Sequence, residues 1–367
     1  MSAPVYLDWA ATAPVRPEAA AAVVEALREV GNPSSVHAFG RRARARLEAA
    51  RRTVARSFGL APDEVVFTSG GTEANQLAVH QARGPIAVGA IEHLSVLEAV
   101  PDAVRIPVAG SGVIDLAAAE RLLAEHRPAL VACQLANNET GAIQPVRELA
   151  RLVRAVGARL HVDAVQAAGK LDCAPESLGA DTVAVSAHKL GGPMGVGALL
   201  LRPGLALAPR QPGGGQESGR RAGTPNLPGI VGFAAALECL PGVDWAAVGA
   251  LRDRLERSLR AIAPELAIVA GETARLPTIS CVLLPGLSAE AQLVALDLEG
   301  IAVSAGSACS SGKLSPSHVL VAMGFSEREA RCTIRVSLGW STSAQDIDRF
   351  LRAWERLYRS WCARRAA

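Results

Sequence analysis

The chain has 367 residues, half of them hydrophobic and only 4% aromatic, with a formal net charge of +3. Its length exceeds what one small core needs and predicts two domains, or one large domain with a smaller one appended. Charges, Gly or Pro interrupt every apolar run before it reaches membrane-spanning length, Asp8 and Trp9 arrive where a signal peptide would be most apolar, and the charge is too small to argue for nucleic acid.

The expectation is therefore a soluble, cytoplasmic protein with no membrane partner and no direct nucleic-acid partner. Its seven cysteines are scattered, with neither a CxxC pair nor a metal-ligand spacing, which fits a reducing compartment and no metal site. Most of them should be small core residues.

In chain order, residues 4–12 read as a short strand and loop, an arm, followed by an Ala-rich amphipathic helix over 17–30. The breaker cluster 31–35 (GNPSS) is a loop before a helix that starts near Ala38. The Arg-rich stretch 41–56 reads as the solvated face of that helix. From Val65 the pattern becomes α/β alternation, with strand-like runs at 65–68, 86–90, 129–135, 159–162, 182–186 and 197–201. Continuous apolar strands joined by helices argue for a parallel sheet covered on both faces, with ligands at the carboxyl ends of its strands. Near Pro241 the alternation changes. A long helix over 245–262, strands at 278–284, 301–304 and 333–338, and helices at 289–299 and 345–362 predict a smaller α+β domain. The division expected is 1–12 as an arm joining the small domain, 13–240 as the large domain and 241–367 as the small one.

The chemistry concentrates between His161 and Lys189. Only three lysines occur, Lys170, Lys189 and Lys313, in a chain that otherwise uses Arg for its positive charge. Arg replaces Lys as a surface cation but cannot form a Schiff base, so each remaining Lys is a candidate. Asp163 ends one strand and Lys189 lies just past its neighbour. A carboxylate for a pyridinium nitrogen and an amine for an aldehyde are what a pyridoxal 5'-phosphate site requires. Taken singly, each is as readily an ordinary loop residue at the end of a buried sheet. The run 65–73 (VVFTSGGTE) adds a strand, a glycine turn and a helix start. Gly70 and Gly71 let backbone approach an anion, and the first-turn amides with Thr72 can hold a phosphate. Alone, this would be a tight βα turn. Ser186 and His188 flank Lys189 and supply further donors, and the three features together favour the cofactor.

These residues resemble the fold-type I, pyridoxal phosphate-dependent enzymes of the class V aminotransferase group, and within it the NifS-like cysteine desulfurases. The resemblance runs over nearly the whole chain: YLDWAAT at 6–12, GNPSS at 31–35, TSGGTE at 68–73, EH at 92–93, NNETG at 137–141, HVDAVQ at 161–166, SAHK at 186–189, GGGQE at 213–217, SAGSAC at 304–309 and IRVSLG at 334–339. It implies an α/β fold with a mostly parallel seven-stranded sheet in the large domain.

By resemblance, Lys189 joins the cofactor aldehyde, Asp163 pairs with the pyridine nitrogen, Gln166 bonds the phenolic oxygen, and His93 stacks on the ring and moves protons. Gly71, Thr72, Ser186 and His188 hold the phosphate, with Thr224 supplied by a second subunit, which implies a homodimer with shared sites. Arg335 becomes the fork for the substrate carboxylate, with Asn138 and Asn32 nearby. Cys309 lies in a run of small residues, 304–312, where a thiol is accessible rather than packed. In the NifS-like branch that loop carries the persulfide-forming nucleophile. The implied reaction takes L-cysteine to L-alanine and delivers sulfur to an acceptor protein, an iron–sulfur scaffold or a thiolation enzyme. Its nearest rivals are a selenocysteine lyase or a small-amino-acid aminotransferase of the same fold, and a catalytically silent binding protein. Two positions depart from the family pattern: Ser218 where many relatives have Arg, and Met194 where Lys is common.

Overall fold

The computed structural model describes residues 4–306 and 315–366. Its centre is a seven-stranded sheet with strand order Val65–Thr68, Gly197–Leu201, Thr182–Ser186, Arg159–Asp163, Leu130–Gln134, Ile86–Gly89 and Val104–Ile106. Gly197–Leu201 runs antiparallel to both neighbours, and the other pairs are parallel. The middle strands are buried along their whole length, as a sheet covered on both faces requires, which is why they read as continuous apolar runs. The sequence reading missed the three-residue edge strand Val104–Ile106, too short to show a period. In the rest of this sheet it placed strand ends within one residue of those observed, and it missed one further short strand, Ala267–Val269, outside it.

Helix Pro17–Leu27 stops three residues before the expected end, and Arg28 closes it. It packs on Leu227–Glu238, an apolar helix buried along most of its length, which also packs against Ala38–Ser57. The Arg-rich helix Ala38–Ser57 departs from its expected solvated character at one position. Arg51 is buried and grips Glu217 with two hydrogen bonds, Nη1 to Oε2 at 2.8 Å and Nη2 to Oε1 at 2.7 Å. The other arginines of the stretch remain at least partly exposed.

A second, antiparallel sheet has the order Ser304–Ala305, Thr333–Ser337, Ile279–Leu283 and Ala267–Val269. The expected strand over 301–304 is in fact two. Ile301–Ala302 pairs in parallel with Val5–Tyr6 of the arm, whereas Ser304–Ala305 pairs with Thr333–Ser337. A core built on Leu255, Leu259, Phe350 and Trp354 lies under this sheet, separate from the core of the large sheet. Of the six described cysteines, Cys133, Cys173, Cys281 and Cys332 are buried, and none of the six is in a disulfide.

Candidate active site

Six of the seven strands of the large sheet run the same way, so their carboxyl ends share one edge, and a cavity of about 400 Å³ opens there. Strand Arg159–Asp163 delivers Asp163 to it, Thr182–Ser186 delivers Ser186, and the short turn Ala187–Lys189 carries His188 and Lys189. Helix Gly71–Val79 points its first turn into the same space. Its N-cap is Gly70, and no side chain among the described residues caps it, so the first-turn amides are left for a ligand. A Cβ on Gly71 would stand 2.7 Å from Val165 Cγ2, so glycine is what lets the helix start approach the segment after Asp163.

Across the cavity from the large sheet, strand Thr333–Ser337 contributes Arg335, and Asn138, Gln166 and His93 complete the wall. Ser304, Ala305 and Gly306 also line it, so the chain leaves the described residues at the cavity wall. Ten of the expected site residues are thus brought together. Asn32 is not among them: it is exposed, and its Oδ1 accepts from Ser34 N at 2.9 Å in a local turn. Thr224 lines a separate hollow of about 130 Å³ with Glu217 and Arg221. Cys309 lies outside the described residues.

The electrostatics suit a carbonyl-bearing anionic cofactor. Lys189 Nζ donates to the carbonyls of Ala10 at 2.6 Å and Ala11 at 2.7 Å. Burial, followed by the nearby Arg335 charge, lowers its pKa to about 8, against opposing pulls from Asp8 and Asp163. A sizeable neutral fraction is therefore present just above neutral pH. Asp163 accepts from Val165 N at 2.9 Å and Asn75 Nδ2 at 2.7 Å. Burial, reinforced by Lys189, takes His188 down to about 4, so its ring is neutral. Burial also lowers His93, with Asp163 opposing. Gln166 Nε2 donates to Ala10 O at 2.8 Å. An amine, a carboxylate held by two donors and an uncapped helix start in one cavity match the aldehyde, ring nitrogen and phosphate of pyridoxal phosphate.

The sequence reading missed Asn75, Ser95, Gln134 and Asp8. Asn75 carried a signal: it lies one turn after Thr72, among the buried Ala74, Leu77 and Ala78, where a polar residue needs a partner.

The family model for class V aminotransferases matches residues 5–350. A cysteine desulfurase from Cereibacter sphaeroides is 44% identical over 95% of this chain and 94% of its own, and an IscS-like cysteine desulfurase from Mycobacterium tuberculosis is 38% identical over 94% and 93%. Among solved structures, a NifS-like protein from Rickettsia africae superposes with a TM-score of 0.90 at 34% identity, covering 97% of this chain and 99% of that one. With this cavity at the edge of this sheet, the chain belongs to the class V aminotransferase family, among its NifS-like, pyridoxal phosphate-dependent cysteine desulfurases.

Proposed function

We propose that the protein converts L-cysteine to L-alanine, moves the sulfur onto Cys309 as a persulfide, and delivers it to a thiol-bearing acceptor protein such as an iron–sulfur scaffold or a thiolation enzyme. The observation that carries this reading is the meeting in one cavity of Lys189, Asp163, Arg335 and the uncapped helix start, with the stem of the Cys309 segment on the wall. When bound there, pyridoxal phosphate supplies an electron sink for negative charge at the substrate Cα.

The chain's own residues do the rest. Gly71, Thr72, Ser186 and His188 would hold the phosphate, Asp163 would pair with the pyridine nitrogen, and Gln166 would bond the phenolic oxygen. Arg335, with Asn138 beside it, orients the substrate carboxylate, and the Lys189 amine takes the Cα proton. His93 holds a proton on the ring face. The Cys309 thiolate attacks the substrate sulfur: an S–S bond forms as the Cβ–S bond breaks, and the carbon keeps the electron pair and gains a proton to become alanine.

The same reading makes the protein a cytoplasmic homodimer in which Thr224 serves a partner's site. It keeps 1–12 as an arm, 13–240 as the cofactor domain and 241–367 as the small domain, supported by two separate cores. Incubation of purified protein with ³⁵S-cysteine tests it: alanine should form with label on Cys309, whereas transfer of the amino group to a 2-oxo acid would favour an aminotransferase.

A further inference from the structure

Asn75 is 1% exposed on helix Gly71–Val79, and its whole side chain is committed. Nδ2 lies 2.7 Å from Asp163 Oδ2 and 2.9 Å from Ser95 Oγ, and Oδ1 lies 3.0 Å from His161 Nε2. His161 Nδ1 in turn lies 2.8 Å from Thr182 Oγ1. On the other branch, His93 Nδ1 lies 2.8 Å from Ser95 Oγ and 3.1 Å from Ser95 N.

These contacts have one consistent assignment of protons. The Asp163 carboxylate only accepts, so the Asn75 nitrogen must face it and spends its two hydrogens on Asp163 and Ser95. The Asn75 oxygen then requires a donor, which makes His161 the Nε2–H tautomer, with Nδ1 accepting from the Thr182 hydroxyl. Burial holds His161 neutral, consistent with that assignment. The Ser95 amide can only donate, so His93 Nδ1 must accept, and Ser95 Oγ, which already accepts from Asn75, turns its own hydrogen to the same nitrogen. His93 Nδ1 is thus an acceptor, and the neutral ring carries its proton on Nε2.

We propose that Asn75 is a positioning residue that couples Asp163 to His93, orienting the carboxylate and fixing His93 as the Nε2–H tautomer through Ser95. The inference rests on the site assignments above and deepens them. His93 then enters the reaction as a hydrogen-bond donor through Nε2, not as a free base. A proton arriving at Nδ1 would face the Ser95 amide hydrogen and force the Ser95 hydroxyl to turn its own hydrogen elsewhere. The charged or titratable groups that act on His93 are Asp163, Lys189 and His318. Of these, only Asp163 is hydrogen-bonded into the network.

The test uses the cofactor-loaded enzyme with ¹⁵N-labelled histidine, the His93 signals being assigned by their loss in His93→Gln. Wild-type His93 should show a protonated Nε2 and a bare Nδ1 across neutral pH. Asn75→Leu, close in size but without hydrogen bonds, should give a mixture of His93 tautomers and move the pH midpoint of the cofactor absorbance by roughly one unit. It should also lower kcat about 10–100-fold with little change in KM. Ser95→Ala removes the hydroxyl donor to His93 Nδ1 and keeps only the amide one, so it should raise the Nδ1-protonated fraction of His93, yet leave the absorbance midpoint near wild type because Asp163 keeps its Asn75 donor. A protonated Nδ1 in the wild type, or a folded Asn75→Leu enzyme with both readouts unchanged, overturns the proposal. If Asn75→Leu does not fold, an unchanged His93 tautomer in Ser95→Ala overturns it. Neither spectroscopic readout depends on sulfur chemistry, so failure of the desulfurase reading would leave both measurable and show itself separately as absent alanine.

Discussion

Arg335 Nη2 donates to Asp8 Oδ1 at 2.7 Å, joining the N-terminal arm to a strand 327 residues away. Nη1 donates to Asn138 O at 3.0 Å, while the buried Nε has no partner among the described residues. The guanidinium is thus oriented by two contacts and retains a donor within a cavity-lining side chain, the arrangement expected of a carboxylate fork. Arg335→Lys keeps the charge but loses the fork. Steady-state kinetics should show KM for L-cysteine rising about tenfold or more, since a lost charge-assisted hydrogen bond is worth roughly 1.5–3 kcal/mol. The cofactor absorbance should persist. An unchanged KM would move the carboxylate site elsewhere.

Asp163→Asn should leave the cofactor bound, because the residues proposed to hold the phosphate are untouched. The amide keeps the shape but cannot hold a proton on the pyridine nitrogen, so turnover should fall by two orders of magnitude or more, roughly the scale of a lost general acid–base contribution. Retained cofactor with undiminished turnover would mean that another residue faces the nitrogen.

His161 is fully buried, and burial lowers its pKa to about 4, against roughly 6.5 in the unfolded chain. Between these values the unfolded state binds more protons than the folded one, so stability is present above about pH 6.5 and is lost as pH falls towards 4. Thermal unfolding of the cofactor-free protein should show a falling midpoint over that window. His161→Leu should have a lower midpoint at pH 7 but a shallower slope, with His188 and His93, both also lowered by burial, contributing to the remainder. Identical slopes would remove His161 from the acid limb.

The Arg51–Glu217 pair is buried on both sides, and Glu217 Oε2 also accepts from Phe67 N at 2.9 Å. Arg51→Met leaves that carboxylate buried without its cation and should cost roughly 3–5 kcal/mol of unfolding free energy in denaturant titrations. The next residue, Ser218, has φ of +57°, a left-handed conformation that favours glycine. Ser218→Gly should therefore be neutral or slightly stabilising, whereas Ser218→Val should destabilise. The reverse order would mean that the loop relaxes without strain.

Much of this architecture was legible in the sequence for physical reasons. Strands such as Leu130–Gln134 and Thr182–Ser186 are buried on both faces and so appear as unbroken apolar runs, and Lys189 stood out because only two other lysines exist. What stayed hidden depends on long-range pairing. Nothing near Asp8 announces Arg335, and nothing near Arg51 announces Glu217, 166 residues on. The strand expected over 301–304 split because its two ends pair with different partners, Val5–Tyr6 and Thr333–Ser337, which no local pattern encodes. Asn75 sits among apolar residues of a short helix, which signals a partnered polar group, but only the fold shows that its partners are Asp163, Ser95 and His161.

Lys189 is the most accessible test of the cofactor itself. Purified protein should be yellow, with a covalent link that borohydride fixes on the peptide containing Lys189. Lys189→Ala should abolish the fixed link, and Lys189→Arg should not restore it. A link fixed on Lys170, whose amine is occupied by Gln166 O at 3.0 Å, or on Lys313 would overturn the assignment.

The most direct measurement of the central claim is alanine and sulfide production by Cys309→Ser. The substitution leaves Lys189, Asp163 and the phosphate-binding residues untouched, so the variant should bind cofactor and give the wild-type spectral change on adding L-cysteine. A hydroxyl is far less nucleophilic towards sulfur than a thiolate, and the six other cysteines lie outside the small-residue segment, so alanine and sulfide formation should collapse together. Production of both at the wild-type rate would contradict the persulfide mechanism.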